Sequence, residues 1–131
     1  MKSGLDKLCK GEAVNRRLPE FLFDPKKANR EIGENVTLTV ENLLTKTMNP
    51  EQISAVEGAL NAEDLYLIQG PPGTGKTTVI AEICYQNAVR GLKTLIVSQS
   101  NLAVDNAISR VMNHADIRVL RKGDALRVEE E

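Results

Sequence analysis

A glycine-rich stretch near the middle of the chain carries the residues with the clearest chemical potential. It covers residues 70–78 and reads GPPGTGKTT, which matches the spacing G-x-x-x-x-G-K-[S/T] of phosphate-binding loops. Glycines let the backbone turn its N–H groups around phosphate oxygens, and the helix predicted to follow points its positive end at the same charge. We therefore predict that this loop binds a nucleoside triphosphate.

Two residues of the loop have separate predicted roles. Lys76 supplies a point charge for the β and γ phosphates, and the hydroxyl of Thr77 can ligate Mg²⁺, which prefers a few protein oxygens together with substrate phosphates. A turn built of glycine and proline for steric reasons alone would not require this Lys-Thr pair. The predicted catalytic residues are Lys76 and Thr77, and the predicted nucleotide-binding loop comprises Gly70, Pro71, Pro72, Gly73, Thr74, Gly75, Lys76, Thr77 and Thr78.

Strands and helices are predicted to alternate around this loop. The apolar run 65–69 is typical of a buried strand and leads directly into the glycines, and a helix follows over 77–90. The pattern then repeats, with a strand over 94–98, a helix over 101–113 and a strand over 117–120. This alternation predicts an α/β fold in which helices flank a parallel sheet.

A further helix is predicted over 50–60, ahead of the first of these strands. Asn49 occupies the N-cap position and Pro50 the first helical position. Gln52, at the third position, could reach back to the cap backbone as in a capping box. Its amide also matches the donor and acceptor pattern of an adenine edge. The residue types leave these two roles evenly balanced.

The first 48 residues have no assigned chemistry. They contain a short helical segment around Leu8, an apolar cluster over 18–25 that is too short for a helix, and an alternating stretch over 36–40 that predicts a strand. We therefore divide the chain into an N-terminal appendage of unclear role, residues 1–48, and a partial ATP-binding domain, residues 49–131.

The composition excludes several classes of protein. The 131 residues are 41% hydrophobic and 27% charged, as in a single soluble globular domain. The net charge of −1 provides no general attraction to nucleic acid or to anionic membranes, so a polyanion site must be local. No run approaches the roughly 20 apolar residues of a membrane span. The two cysteines have no metal-binding spacing and predict a reducing, cytoplasmic location.

A phosphate-loop hydrolase also needs an acidic residue at the end of a neighbouring strand to hold Mg²⁺. The predicted strands end instead at Gln69, at Ser98 and at two basic residues that begin with Arg121. Asp124 lies in the right direction, but it follows those basic residues and a glycine. We therefore expect the chain to stop before that acid and to hydrolyse almost no ATP by itself.

Residues 49 to about 123 resemble the Upf1-like group of superfamily 1 helicases. NPEQISAV, residues 49–56, resembles the Q motif of that family, and residues 69–77 resemble its motif I. LIVSQSNLAVD, residues 95–105, resembles motif Ia, with Gln99 where the family usually has proline. The resemblance implies a truncated RecA-like domain.

Particular residues acquire roles from this resemblance. The glutamine of the Q motif recognises adenine, which favours that role for Gln52. Motif Ia contacts the backbone of single-stranded nucleic acid, which implies contacts from Ser100 and Asn101. Hydroxyl and amide groups can indeed bind phosphate without sequence preference. Taken without the resemblance, Ser100 more simply caps the helix that follows.

The resemblance implies an ATP-dependent helicase that uses ATP and Mg²⁺ and moves along single-stranded DNA or RNA. The acidic motif II, the sensor motifs and the second RecA-like domain of the family have no counterpart in the sequence. Two alternatives remain. One is another phosphate-loop enzyme, a nucleotide kinase or an AAA+ remodeller, and the other is a passive nucleotide-binding module.

Overall fold

The computed structural model describes residues 2–29, 35–112, 114 and 117–122. None of the helices in these ranges is long and apolar enough to cross a lipid bilayer. Two short 3₁₀ turns, Pro25–Lys27 and Val40–Asn42, lie between the second and third helices. The described residues form five α-helices, which are α1 (Lys2–Cys9), α2 (Leu18–Phe23), α3 (Pro50–Asn61), α4 (Lys76–Val89) and α5 (Asn101–Ile108).

The main hydrophobic core lies where α3 and α4 pack against each other. Val56 of α3 is fully buried, and Val79 of α4 is buried beside it. Leu43 and Met48, from the segment that precedes α3, are buried in the same cluster. Residues on both sides of the proposed division at residue 48 therefore share one core, and that division itself stays a prediction.

Helix α3 begins as the sequence predicts. The side chain of Asn49 accepts a hydrogen bond from the backbone N–H of Gln52 at 2.8 Å, and Oε1 of Gln52 accepts one from the N–H of Asn49 at 3.1 Å. This reciprocal pair is a capping box, and Pro50 occupies the first turn, where its missing N–H costs nothing. The predicted helix over 50–60 is confirmed and extends to Asn61.

The helices after the phosphate-binding loop are also present, although α5 is shorter than predicted. Helix α4 ends at Val89, close to its predicted end. Helix α5 ends at Ile108, and the N–H of Val111 then donates to the carbonyl of Ile108 at 2.9 Å, which tightens the chain into a turn. The predicted end of that helix, Asn113, lies outside the described residues.

The stretch 36–40 does not form the predicted strand. The N–H and carbonyl of Val36 bond to the side-chain amide of Asn61, and the N–H of Leu38 donates to the carboxylate of Glu57 at 2.7 Å. Side chains of α3 thus satisfy these backbone groups, so the stretch lies along a helix rather than beside a strand.

The apolar cluster over 18–25 was predicted to be too short for a helix, and this prediction is wrong. Its first six residues form α2, in which Phe21 is buried. Pro19 lies in the first turn, where a backbone N–H has no partner within the helix and none is lost.

The parallel sheet is not formed by the described residues. The predicted strands at 65–69, 94–98 and 117–120 are irregular, and the described part of the chain has β-pairing at only one isolated bridge residue, Ala62. A strand exists only through hydrogen bonds to a neighbour. Among the described residues these segments have no neighbouring strand to pair with. Their apolar side chains are largely exposed, as for Leu67, Leu95, Val97 and Leu120.

Candidate nucleotide-binding site

The glycine-rich loop, residues 70–75, forms a compact curve that leads into α4. Gly73 and Gly75 have φ angles of 83° and 81°, in the left-handed region that side chains rarely adopt. Between them, the hydroxyl of Thr74 donates to the carbonyl of Pro71 at 2.8 Å and closes the curve. Glycine at these two positions is therefore required by the backbone conformation of the loop.

Lys76 folds back over this loop. Its Nζ donates to the carbonyl of Gly70 at 2.7 Å and to the carbonyl of Pro71 at 2.8 Å. These two bonds hold a positive charge against the loop and leave one ammonium N–H for another acceptor. The lysine is thus placed where it can bind an anion held by the loop.

The start of α4 differs from the starts of α3 and α5. Asn49 caps α3 and Ser100 caps α5 through their side chains. No side chain in the described part of the chain caps α4, whose N-cap residue is Gly75. The first N–H groups of a helix need acceptors, and its end carries partial positive charge. A phosphate group fits both requirements, and Lys76 adds a full positive charge.

Gln52 connects α3 to this loop. Its Nε2 donates to the carbonyl of Thr74 at 3.0 Å, while its Oε1 completes the capping box with Asn49. The structure therefore brings Gln52 beside the phosphate-binding loop, as its predicted role requires. The capping role is confirmed, and adenine recognition stays a prediction.

The two threonines that follow Lys76 differ in their contacts. Thr77 is half-buried in the first turn of α4. The hydroxyl of Thr78 accepts a hydrogen bond from Nη1 of Arg110 at 3.3 Å. Arg110 is not predicted from the sequence, because this contact joins residues 32 positions apart and no local pattern marks it.

Ser100 and Asn101 lie together at the start of α5. The hydroxyl of Ser100 accepts from the N–H of Ala103 at 3.4 Å, so the simpler capping role is present. Asn101 is half-buried and is the first residue of the helix. Because α5 packs against α4, this pair lies on an element that directly contacts the helix after the glycine-rich loop. Their contact with nucleic acid stays a prediction.

Comparison with known proteins identifies the family. Residues 47–131 match the AAA domain family. The DNA-binding protein SMUBP-2 of Rattus norvegicus is 48% identical over 65 residues, which cover 50% of this chain and 7% of that protein. The DNA polymerase alpha-associated DNA helicase A of Schizosaccharomyces pombe is 34% identical over 120 residues, which cover 86% of this chain and 18% of the relative. The chain belongs to the AAA domain family, among the Upf1-like superfamily 1 helicases.

A third relative extends the comparison to an archaeon. An ATP-dependent helicase of Methanocaldococcus jannaschii is 40% identical over 85 residues, or 63% of this chain and 13% of that protein. No solved structure matches the chain significantly. The AAA domain family implies a P-loop NTPase. The chain spans less than a fifth of the length of each of these three relatives.

An ion pair fixes α5. Nε of Arg121 lies 2.6 Å from Oδ1 of Asp105, and its Nη1 donates to the carbonyl of Lys122. Both charged side chains are partly buried. The pair thus ties the segment 117–122 to α5. Asp124, the acid considered for Mg²⁺ from the sequence, lies outside the described residues.

A cavity of about 730 Å³ in the AAA domain lies between α4, α5 and the segments 94–98 and 117–122. Its lining includes Asn101, Cys84 and apolar residues of both helices, and no residue of the loop 70–75. Burial raises the pKa of the Cys84 thiol. The thiol therefore stays protonated at neutral pH and serves as a small apolar group in the cavity wall.

Replacement of Gln52 by glutamate separates its two contacts. Glutamate keeps an oxygen for the N–H of Asn49 but cannot donate to the carbonyl of Thr74, and it adds negative charge beside the loop. We expect Gln52→Glu to change the free energy of unfolding by less than about 1 kcal/mol and to weaken ATP binding about tenfold or more. Urea unfolding and isothermal titration calorimetry measure the two effects.

The matched control is Asn49→Ala, which removes the other half of the capping box and should destabilise α3 by about 1 kcal/mol. Its effect on ATP affinity should be small, because the bond from Gln52 to Thr74 remains. If both variants lowered ATP affinity equally, Gln52 would act only as a helix cap.

Proposed function

We propose that the chain is the ATP-binding part of an ATP-dependent helicase that couples ATP hydrolysis to movement along single-stranded DNA or RNA. The observation that carries this proposal is the position of the Lys76 ammonium, 2.7 Å from the Gly70 carbonyl, at the uncapped start of α4. The names of relatives, which include DNA and ATP-dependent helicases, support it.

In this proposal the loop residues and Lys76 bind the phosphates of ATP, and the Thr77 hydroxyl ligates Mg²⁺. The metal would neutralise phosphate charge, and the residues present suit it, since a hydroxyl follows directly after the phosphate-binding lysine. Gln52 recognises adenine. Its amide has one N–H and one lone pair left beyond its contacts with Asn49 and Thr74, and these are the donor and acceptor that an adenine edge requires.

We also propose that the segments 65–69, 94–98 and 117–120 belong to a RecA-like parallel sheet in the longer protein. Each is rich in apolar residues, and each lies next to a helix in the order that a phosphate-loop fold requires. Their exposed apolar side chains, such as Leu95 and Leu120, are the surface that neighbouring strands would cover.

Single-stranded nucleic acid is the proposed partner of Ser100 and Asn101. Both lie at the start of α5, where backbone and short polar groups can contact a sugar-phosphate chain. The relative SMUBP-2 is named a DNA-binding protein. The protein is proposed to act in the cytoplasm, where the thiols of Cys9 and Cys84, which are unpaired in the described part of the chain, would remain reduced.

The decisive test measures ATP hydrolysis by a longer protein that contains this chain. Single-stranded DNA or RNA should raise the rate at least about tenfold. The proposed nucleic-acid contacts lie at the start of α5, and α5 packs against α4, which follows the phosphate loop, so binding at one helix can affect the other. A rate indifferent to nucleic acid would contradict the helicase and favour another phosphate-loop NTPase. The chain by itself should bind ATP weakly with negligible turnover, and substantial turnover would show that an acid within it serves the reaction.

A further inference from the structure

Arg110 is brought to the phosphate-binding end of α4 by its contact with Thr78. Thr78 is the third residue of α4, two positions after Lys76. Its hydroxyl accepts from Nη1 of Arg110, and the same oxygen lies 3.8 Å from the position where Gly75 would carry a Cβ atom. The guanidinium therefore lies close to the junction of loop and helix, although Arg110 comes from the turn after α5.

The charge of Arg110 has no counterion among the described residues. Two other arginines in that part of the chain do have one, since Arg121 pairs with Asp105 and Arg17 pairs with Asp64 at 3.0 Å. The one contact of Arg110 there is with a neutral hydroxyl, and its side chain is exposed. A guanidinium carries five N–H donors in a planar fork that suits phosphate oxygens. Most of these donors are available to a ligand.

A purely structural role explains this contact less well. Helices α4 and α5 already pack together, and Ala107, Ile108 and Val111 provide buried apolar surface at α5 and its end. One exposed hydrogen bond adds little to such packing. By contrast, a second cation at the same end of α4 as Lys76 would add directly to the attraction for a polyanion.

We propose that Arg110 is a phosphate-binding residue of the nucleotide site, which donates from its guanidinium to the phosphate chain of bound ATP while Thr78 holds it in place. This rests on the proposed function, because it requires that the loop binds ATP. The proposal places in the nucleotide site an arginine that follows α5 in the same chain.

The test compares Arg110→Gln with the unaltered chain and with Arg16→Gln, which removes the same charge from an exposed position in the N-terminal region. Calorimetry with Mg²⁺ measures binding of ATP and of inorganic tripolyphosphate at low and high salt. Arg110→Gln should weaken both ligands about fivefold or more and should reduce the salt dependence, because one screened charge contact is lost. Arg16→Gln should match the unaltered chain.

Two further variants separate phosphate binding from helix packing. Thr78→Val removes the hydroxyl but leaves the charge, so it should retain the salt dependence that Arg110→Gln loses. Arg110→Lys should recover part of the affinity, since it restores charge without the fork. The thermal midpoint of the ligand-free protein should be nearly the same for all three substitutions.

Three results would overturn the proposal. If the unaltered chain binds ATP and Arg110→Gln binds it equally well, Arg110 does not touch the ligand. If Arg110→Gln weakens ATP but not tripolyphosphate, Arg110 acts on the base or ribose instead. If the unaltered chain binds neither ligand, the proposed nucleotide site fails and this inference fails with it.

Discussion

Lys76→Ala should weaken ATP binding by this chain about 30-fold to 100-fold, since charge-assisted hydrogen bonds to phosphate are among the strongest that a side chain makes. In the structure the Lys76 ammonium lies over the loop through bonds to the carbonyls of Gly70 and Pro71. Alanine keeps the helix residue and removes only the charge and its donors. Calorimetry with Mg²⁺ and ATP measures the loss.

The control for this variant is Lys93→Ala, which removes an equal charge from an exposed site after α4. Its ATP affinity should stay within about twofold of the unaltered chain, because a surface charge is screened over about 10 Å. Unfolding in urea should be nearly unchanged for both variants, since Lys76 is exposed. A loss of less than about threefold for Lys76→Ala would show that the loop binds phosphate without its lysine.

Glu82→Ala should destabilise the fold by about 3–5 kcal/mol, because it removes the acceptor of three donors, one of them buried and two partly buried. Glu82 is fully buried in α4, and its carboxylate accepts from the N–H groups of Leu44 and Thr45 and from Nε2 of Gln86. Each buried donor left without an acceptor costs about 1–3 kcal/mol. Urea denaturation followed by circular dichroism measures the change.

Glu82→Gln is the milder companion of this variant. It preserves shape and one acceptor oxygen but presents a donor to one of the two backbone N–H groups, so about half of the loss is expected. Glu12→Ala removes an exposed carboxylate from a turn and should change stability by less than about 0.5 kcal/mol. Equal stability of Glu82→Gln and the unaltered chain would contradict the assigned hydrogen bonds.

The parts of the fold that local sequence determines were predictable. The cap at Asn49, the proline after it and the apolar spacing of Val56 predict α3, and the glycines with Lys76 predict the loop and the start of α4. These signals lie within a few residues of the structure that they specify, so no knowledge of distant contacts is needed.

The rest depends on residues far apart in the chain. Gln86 bonds to the carbonyl of Asn42, 44 positions away, and Arg110 bonds to Thr78 across 32 positions. Periodicity carries no information about such pairs. The predicted sheet illustrates the same limit. The residue pattern marks segments such as 94–98 as strand-like, but a strand forms only by hydrogen bonding to a neighbouring strand, and the described residues do not supply one.

The hydrogen bonds of the buried Glu82 carboxyl group bear on where a shortened version of the chain should begin. A shortened protein that begins at residue 49 would retain the cap of α3, the glycine-rich loop and α4. It would also contain every stretch that resembles a helicase motif. It would lack Leu43 from the core and the N–H groups of Leu44 and Thr45, so that the buried carboxyl group of Glu82 would keep only one of its three donors, Nε2 of Gln86. Recombinant versions of this AAA domain should therefore begin upstream of Asn42, whose carbonyl accepts from Gln86.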